Sequence, residues 1–270
     1  MSFTEVDYKT DGHIAIVTLN RPESLNAWTS VMGNEVRQAM RLATDDSNVR
    51  VIVLTGAGRG FCPGADMQHL ADISAGTSAA EATASERRPI VHAMSVPKPI
   101  VCAINGACAG IGLAVAMSCD IRFVARDAKL TTAFAKLGLV AEHGLSWTLP
   151  QACGYATAKE LLMSARRFTG TEAAALGVAH AALPDDELMS HTLAYARDLA
   201  VQSSPVSFAT MKWQLARTPF QTLTEALGEA DILLAQATQG PDFAEGVRAF
   251  TERRNPVFAP LGQGTTVSYP

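Results

Sequence analysis

Two stretches constrain this chain more than any others. VRVIVLTG (49–56) and PIVCAING (99–106) are apolar at nearly every position, and each ends in glycine. A strand with one wet face alternates apolar and polar residues, whereas a continuous apolar run is covered on both faces. HIAIVTLN (13–20) alternates and stops at the Arg21-Pro22 breaker, and CDIRFVARD (119–127) begins a further strand. Between them, SVMGNEVRQAMRLATDD (30–46) places Val31, Met32, Val36, Met40, Leu42 and Ala43 at helical spacing, and 85–95 and 110–118 also read as helix. Strands separated by helices predict right-handed crossovers and a mostly parallel, layered α/β fold.

The C-terminal third predicts helices at 155–165, 169–177, 185–202, 205–217 and 222–238, with a join near 185–205. Thr171 and Glu172 resemble a capped start, and Gly177 a stop. This end has little interior of its own, so it is expected to pack on the core or on a neighbouring subunit. There is no internal repeat, low-complexity tract or long linker.

Composition excludes several classes. A formal charge of -4 gives no electrostatic argument for nucleic acid or an anionic membrane. The apolar run at 99–119 is interrupted by Asn105 and glycines, so no membrane span is expected. No cationic segment followed by a long apolar run opens the chain, which predicts no signal peptide. The five cysteines (62, 102, 108, 119 and 153) lack metal-site spacing and read as reduced thiols of an intracellular, cytoplasmic protein. The six histidines are scattered and predict no metal site.

Two glycine-bearing turns follow strands, TGAGRGFCPGADM (55–67) and NGACAGIGLAVAMSCD (105–120). Turn amides and helix N-termini present unpaired N–H groups to an anion or an oxyanion, although each could be only a tight strand–helix turn. GACAGIG (106–112) fails the dinucleotide pattern at Cys108. Further along, GLVAEHGLSW (138–147) sets one carboxylate, Glu142, beside His143 among small and apolar residues. Ser146 has neither a nucleophile elbow nor a partnered base.

NRPESLNAW (20–28), FCPGADM (61–67), PIVCAINGACAGIGLAVAMSCDIRFV (99–124), LGLVAEHGLSWTLP (137–150) and RFTGTEAAALGV (167–178) together resemble the crotonase, or enoyl-CoA hydratase/isomerase, superfamily. The resemblance runs from about residue 5 to 260 and keeps motif order. It implies a crotonase-type spiral of ββα units with a C-terminal helical region. Residues 1–200 would form the core with an acyl-CoA site, and 201–270 a trimerisation region. It also implies coenzyme A thioesters as substrates, no separate cofactor, and a homotrimer or dimer of trimers.

By the same resemblance, the backbone amides of Ala65 and Ile111 hold the thioester oxygen. Ile111 stands where relatives often have Gly, which narrows the acyl pocket. Ser24, Leu25, Ala27, Asp66 and Met67 line the coenzyme, and Phe258 matches an aromatic that reaches the ligand, often from an adjacent subunit. Glu23 stands where some relatives have Lys, so the phosphates must be met elsewhere; Arg253 and Arg254 are candidates. The two glutamates of a hydratase are replaced by Ala114 and Phe134. Glu142 falls where single-carboxylate isomerases carry their acid.

A lone carboxylate suits a 1,3-proton shift within a wall of Phe134, Ala114, Leu139 and Trp147. The alternatives are hydration, ring isomerisation or hydrolytic substitution using Glu142 alone, and a non-catalytic acyl-CoA-binding paralogue. His143, adjacent on a segment expected to be extended, should point away from Glu142. Residues 72–88, poor in large apolar groups but rich in Ala and Glu, suggest either a lid that orders on ligand or a rigid surface helix.

Overall fold

The structure, a computed structural model, describes residues 3–66, 71–72, 75 and 94–262. The segment expected to be a lid or a surface helix lies almost wholly outside the described residues, as does Met67. The first sheet contains β1 (Val6–Asp11), β2 (Ile14–Leu19), β3 (Val51–Gly56), β5 (Ile100–Ile104), β7 (Ile121–Ala125) and β10 (Ala181–Leu183), in that spatial order. Only the β1–β2 pair is antiparallel. The continuous apolar runs are its buried centre: every residue of β5, and of β3 up to Thr55, is buried.

β2 departs from its alternating pattern, because Ile14–Val17 are all buried. Helix α1 (Ser30–Asp45) and the helix at Asp185–Gln202 both pack on this strand.

A second sheet was hidden in the sequence. β4 (Gly60–Cys62), β6 (Ala107–Ala109), β8 (Lys129–Thr131) and β9 (Phe168–Thr169) lie side by side. Strands this short carry too few residues to show a period. Each long strand from β3 to β7 is followed at once by a short one in the second sheet, so the chain winds as a spiral of ββα steps. The described helices closing these steps are α2 (Ile111–Ser118), α3 (Leu145–Ser164) and α4 (Gly170–Ala175). α3 begins before the expected 155 and is broken at Gly154 (φ 75, ψ 159), with Pro150 inside it.

Helix α5 (Asp185–Gln202) packs on β3, β5 and β7. After it come α6 (Pro205–Arg217), α7 (Leu223–Gln239) and α8 (Pro241–Glu252). These last helices and the turn between the first two leave Leu215, Phe220, Leu223, Leu234 and Phe250 exposed. Among the described residues no helix is long and apolar enough to cross a membrane.

Candidate active site

The site begins with two loops pressed together. In the first, Leu25 and Asn26 both have left-handed backbones (φ 54 and 67), turning the chain between β2 and α1 sharply. Asn26 is fully buried and its amide is fully used. Its Oδ1 accepts from Arg21 N–H at 2.8 Å, and its Nδ2 donates to the carbonyls of Ala57 (3.0 Å) and Gly60 (2.8 Å). Asn105 grips the same glycine turn from the β5 side, accepting from Gly56 N–H and donating to Gly58 O. Such satisfied buried amides fix backbone geometry, because breaking any one strands a polar group away from water.

Trp28 then forms a parallel bridge with Ala65, in which Trp28 N–H donates to Gly64 O (2.8 Å) and Asp66 N–H to Trp28 O (3.0 Å). In a parallel bridge the flanking residues supply the bonds. The N–H of Ala65 therefore faces the other way, and it donates to no acceptor among the described residues.

The second loop enters α2 through Gly110, whose φ of 51 and ψ of -119 suit only glycine. Glycine offers no side chain to cap the helix, and the Ile111 N–H donates to no acceptor among the described residues. Gly112 fixes how close the two loops lie: a Cβ there would sit 2.1 Å from Cys62 O. A Cβ on Gly110 would be 3.9 Å from Gly64 Cα. The residues that follow these two glycines, Ala65 and Ile111, thus carry free amides in touching loops.

Of the predicted coenzyme-lining residues, Ala27 and Asp66 flank the Trp28–Ala65 bridge, Ser24 Oγ donates to Arg21 O, and Leu25 packs against Gly60 of the glycine turn. Arg21, which the sequence offered only as a strand breaker, ties them together. Its Nη1 donates to Ala27 O (2.7 Å) and Asp66 Oδ2 (3.1 Å), and its Nε lies 3.5 Å from Glu5. Phe258 is not brought to this group. Its carbonyl accepts from Arg50 Nη2 at 2.7 Å, at the start of β3, whereas the glycine turn leaves the end of that strand. Its ring is buried and lines a groove of about 480 Å³ with Phe243, Val247 and Phe250. Arg254 is engaged by Glu245 and Glu252.

Phe134 and Ala114 are buried. The Phe134 ring lies 3.9 Å from where a Cβ on Gly110 would stand, so it borders the amide pair. Leu139, expected in the same wall, is 40% exposed, and Trp147 is half-buried. Glu142 lies in a turn rather than an extended strand, and this corrects the expectation for His143. His143 has φ 53, Gly144 has φ 74, and Leu145 N–H closes on Glu142 O at 3.0 Å. The imidazole is thereby swung back, and its Nε2 stands 3.5 Å from Glu142 Oε2. Burial pushes the His143 pKa below its usual value, while the Glu142 charge pulls the other way.

α3, which follows this turn, packs on α2 and on the short helix Phe134–Leu137. Among the described residues no group of three or more His, Cys, Asp or Glu could hold a metal ion. Four thiols, Cys62, Cys102, Cys108 and Cys119, are buried in the core, and Asp120 pairs structurally with Lys212 at 2.7 Å.

A family model described as Enoyl-CoA hydratase/isomerase matches residues 9–260. The chain belongs to this family. A Rhodobacter capsulatus relative named "Probable enoyl-CoA hydratase" is 34% identical, covering 96% of this chain and 99% of that protein. The 1,2-epoxyphenylacetyl-CoA isomerase of Escherichia coli is 33% identical, covering 91% and 94%. A crystal structure of a probable enoyl-CoA hydratase/isomerase from Mycobacterium abscessus superposes with a TM-score of 0.88 at 31% identity, covering 95% and 99%. The spiral is therefore the fold of the enoyl-CoA hydratase/isomerase family, with a C-terminal helical region.

Proposed function

We propose that this enzyme shifts a double bond in an enoyl-CoA thioester, with Glu142 as both base and acid. The observation that carries the reading is the pair of backbone amides, Ala65 and Ile111, in touching loops, with one carboxylate, Glu142, in the turn leading into α3, which packs on α2; by the family resemblance, buried apolar Ala114 and Phe134 stand at the positions of a hydratase's glutamates. Two amides aimed at a thioester oxygen stabilise the enolate that forms when the α-carbon loses a proton; removing one such donor typically costs about 10²–10³ in rate. Glu142 takes the proton from C2 of a 3-enoyl thioester and returns it to C4. The two transfers occur at different moments, so one group serves both.

In the same reading, Ser24, Leu25, Ala27, Asp66 and Met67 line the coenzyme, which arrives as part of the substrate. The exposed apolar side chains of α6 to α8 support subunit contact, as in a homotrimer or dimer of trimers, since apolar area left bare on successive helices is available to a partner. A Phe258 contact with ligand would then come from the tail of an adjacent subunit. A cytoplasmic, fatty-acid-related role belongs to the same proposal.

The test is a turnover screen of straight-chain, branched, aromatic and steroid-derived enoyl-CoAs, read by mass and ultraviolet absorbance. A 3-enoyl to 2-enoyl conversion without change of mass is expected, and Glu142→Gln should lower it by about 10²–10⁴. Fast hydration of 2-enoyl-CoA that survives Glu142→Gln would overturn the reading. Binding without turnover across the panel would favour a non-catalytic paralogue.

A further inference from the structure

Glu142 and His143 are neighbours in sequence, and an extended backbone would separate their side chains. Here the left-handed backbone of His143 brings them to 3.5 Å. A positive φ is uncommon outside glycine, although histidine is among the residues that tolerate it. Glycine would make this turn freely, so the imidazole is what the turn gains from histidine. The His143 side chain is 26% exposed and that of Glu142 39% exposed. Burial outweighs the Glu142 charge, so the ring is neutral near pH 7 and carries one N–H. Glu142 is the one charged group acting on it among the described residues.

We propose that His143 is a positioning residue for Glu142: with its proton on Nε2 it donates to Oε2, fixes the carboxylate's rotamer, and leaves Oε1 as the oxygen that moves the substrate proton. This rests on the reading of Glu142 as the acid–base group. The 3.5 Å separation exceeds a formed hydrogen bond, and catalytic contacts of this kind tighten when ligand fills the site. The C2 proton passes to Oε1 and on to C4, while the Nε2 proton stays on the ring throughout. Charging the ring would hold the carboxylate more tightly and make it a weaker base. Turnover should therefore decline as pH falls below the ordinary histidine range.

The experiment compares His143→Gly, His143→Gln and Glu142→Gln in the full chain, using the best 3-enoyl-CoA of the screen. His143→Gly keeps the left-handed turn and removes the ring; His143→Gln offers an amide N–H to the same oxygen. His143→Gly should lose about tenfold in kcat, the scale of one hydrogen bond to a charged group, with KM within about twofold. His143→Gln should recover most of that loss, and the part of the acid decline that follows charging of the imidazole should be missing from the His143→Gly profile. Wild-type kcat in His143→Gly, or equal losses in the Gly and Gln variants, would overturn the proposal. Unchanged turnover in Glu142→Gln would instead remove Glu142 itself. Abolished turnover there beside a fully active His143→Gly would remove only the role of His143.

Discussion

The glycine loops at the core and the helices after residue 203 are built on opposite terms. Around Ala65 and Ile111, backbone touches backbone, and two asparagine amides satisfy the turn between them. A Cβ at Gly56, Gly106 or Gly112 would collide with a backbone carbonyl. On α6 to α8 the reverse holds: Leu215 is 70% exposed, Leu223 77% and Phe250 88%. A site that places amide donors needs rigidity, and this fold obtains it from close packing rather than from side-chain chemistry. A surface that awaits company needs apolar area, and packing within the chain does not consume it.

The harshest way to break that contrast is one methyl group at Gly112. The Cβ of Gly112→Ala would stand 2.1 Å from Cys62 O, a backbone atom of a buried strand that has no rotamer to yield. We expect destabilisation beyond the ~1–3 kcal/mol of ordinary overpacking, with loss of soluble protein at growth temperature. Denaturant unfolding measures it. A stable, active Gly112→Ala would show that the loops are looser than they look.

Much of this architecture was legible because burial left a continuous mark. β3, β5 and α1 fell within two residues of their expected ends, since a strand covered on both faces and a strongly amphipathic helix each have an unambiguous pattern. The second sheet did not, because Ala107–Ala109 and Lys129–Thr131 are single steps of chain. α8 was passed over although Phe243, Val247 and Phe250 stand at helical spacing; what the sequence did not show is that this apolar stripe faces outward. The start of α3 was masked by Pro150 and Gly154. At the site, Glu142, Ala65 and Ile111 came from motif order. Arg21 and Asn26 were passed over because a breaker and a loop asparagine carry no periodic signal. Asn26, between Leu25 and Ala27, was readable as a left-handed turn residue. The Glu142–His143 contact depends on the positive φ at His143, a conformation that no residue type marked there in the sequence.

A smaller effect sharpens the other side of the comparison. The tail that carries Phe258 is held by Glu245 on α8, whose carboxylate accepts from Arg254 Nη1 (2.6 Å) and Val257 N–H (2.7 Å). These bonds hold its pKa down at about 2, from an ordinary 4.5. A depressed carboxylate contributes stability that is complete above its unfolded value and fades as pH falls through the folded one. The tail should therefore stay docked above about pH 4.5 and loosen progressively toward about pH 2. Amide exchange at Val257 and Phe258 across that window is the measurement, with Glu245→Gln as control. In the variant, protection should already be reduced at neutral pH and change little on acidification. Protection that persists in both at neutral pH would mean that ring packing alone seats the tail.

The smallest effect asks whether α7 stands free. Gly228 lies inside this helix, and a Cβ built there meets nothing within 4 Å. In a solvated helix, Gly→Ala reduces the entropy lost on folding and stabilises by about 0.5–1 kcal/mol. Gly228→Ala should therefore raise the unfolding midpoint slightly if the helix faces water in the working protein. If instead a second subunit sits against α7 as closely as backbone sits against Gly112, the same methyl group would leave the isolated chain unharmed and weaken the assembly. Sedimentation and thermal unfolding, run over a range of protein concentrations, separate the two. A stabilised variant with an unchanged assembly state removes the Gly228 face of α7 from any tight subunit contact, whereas a concentration-dependent loss of stability places it inside one.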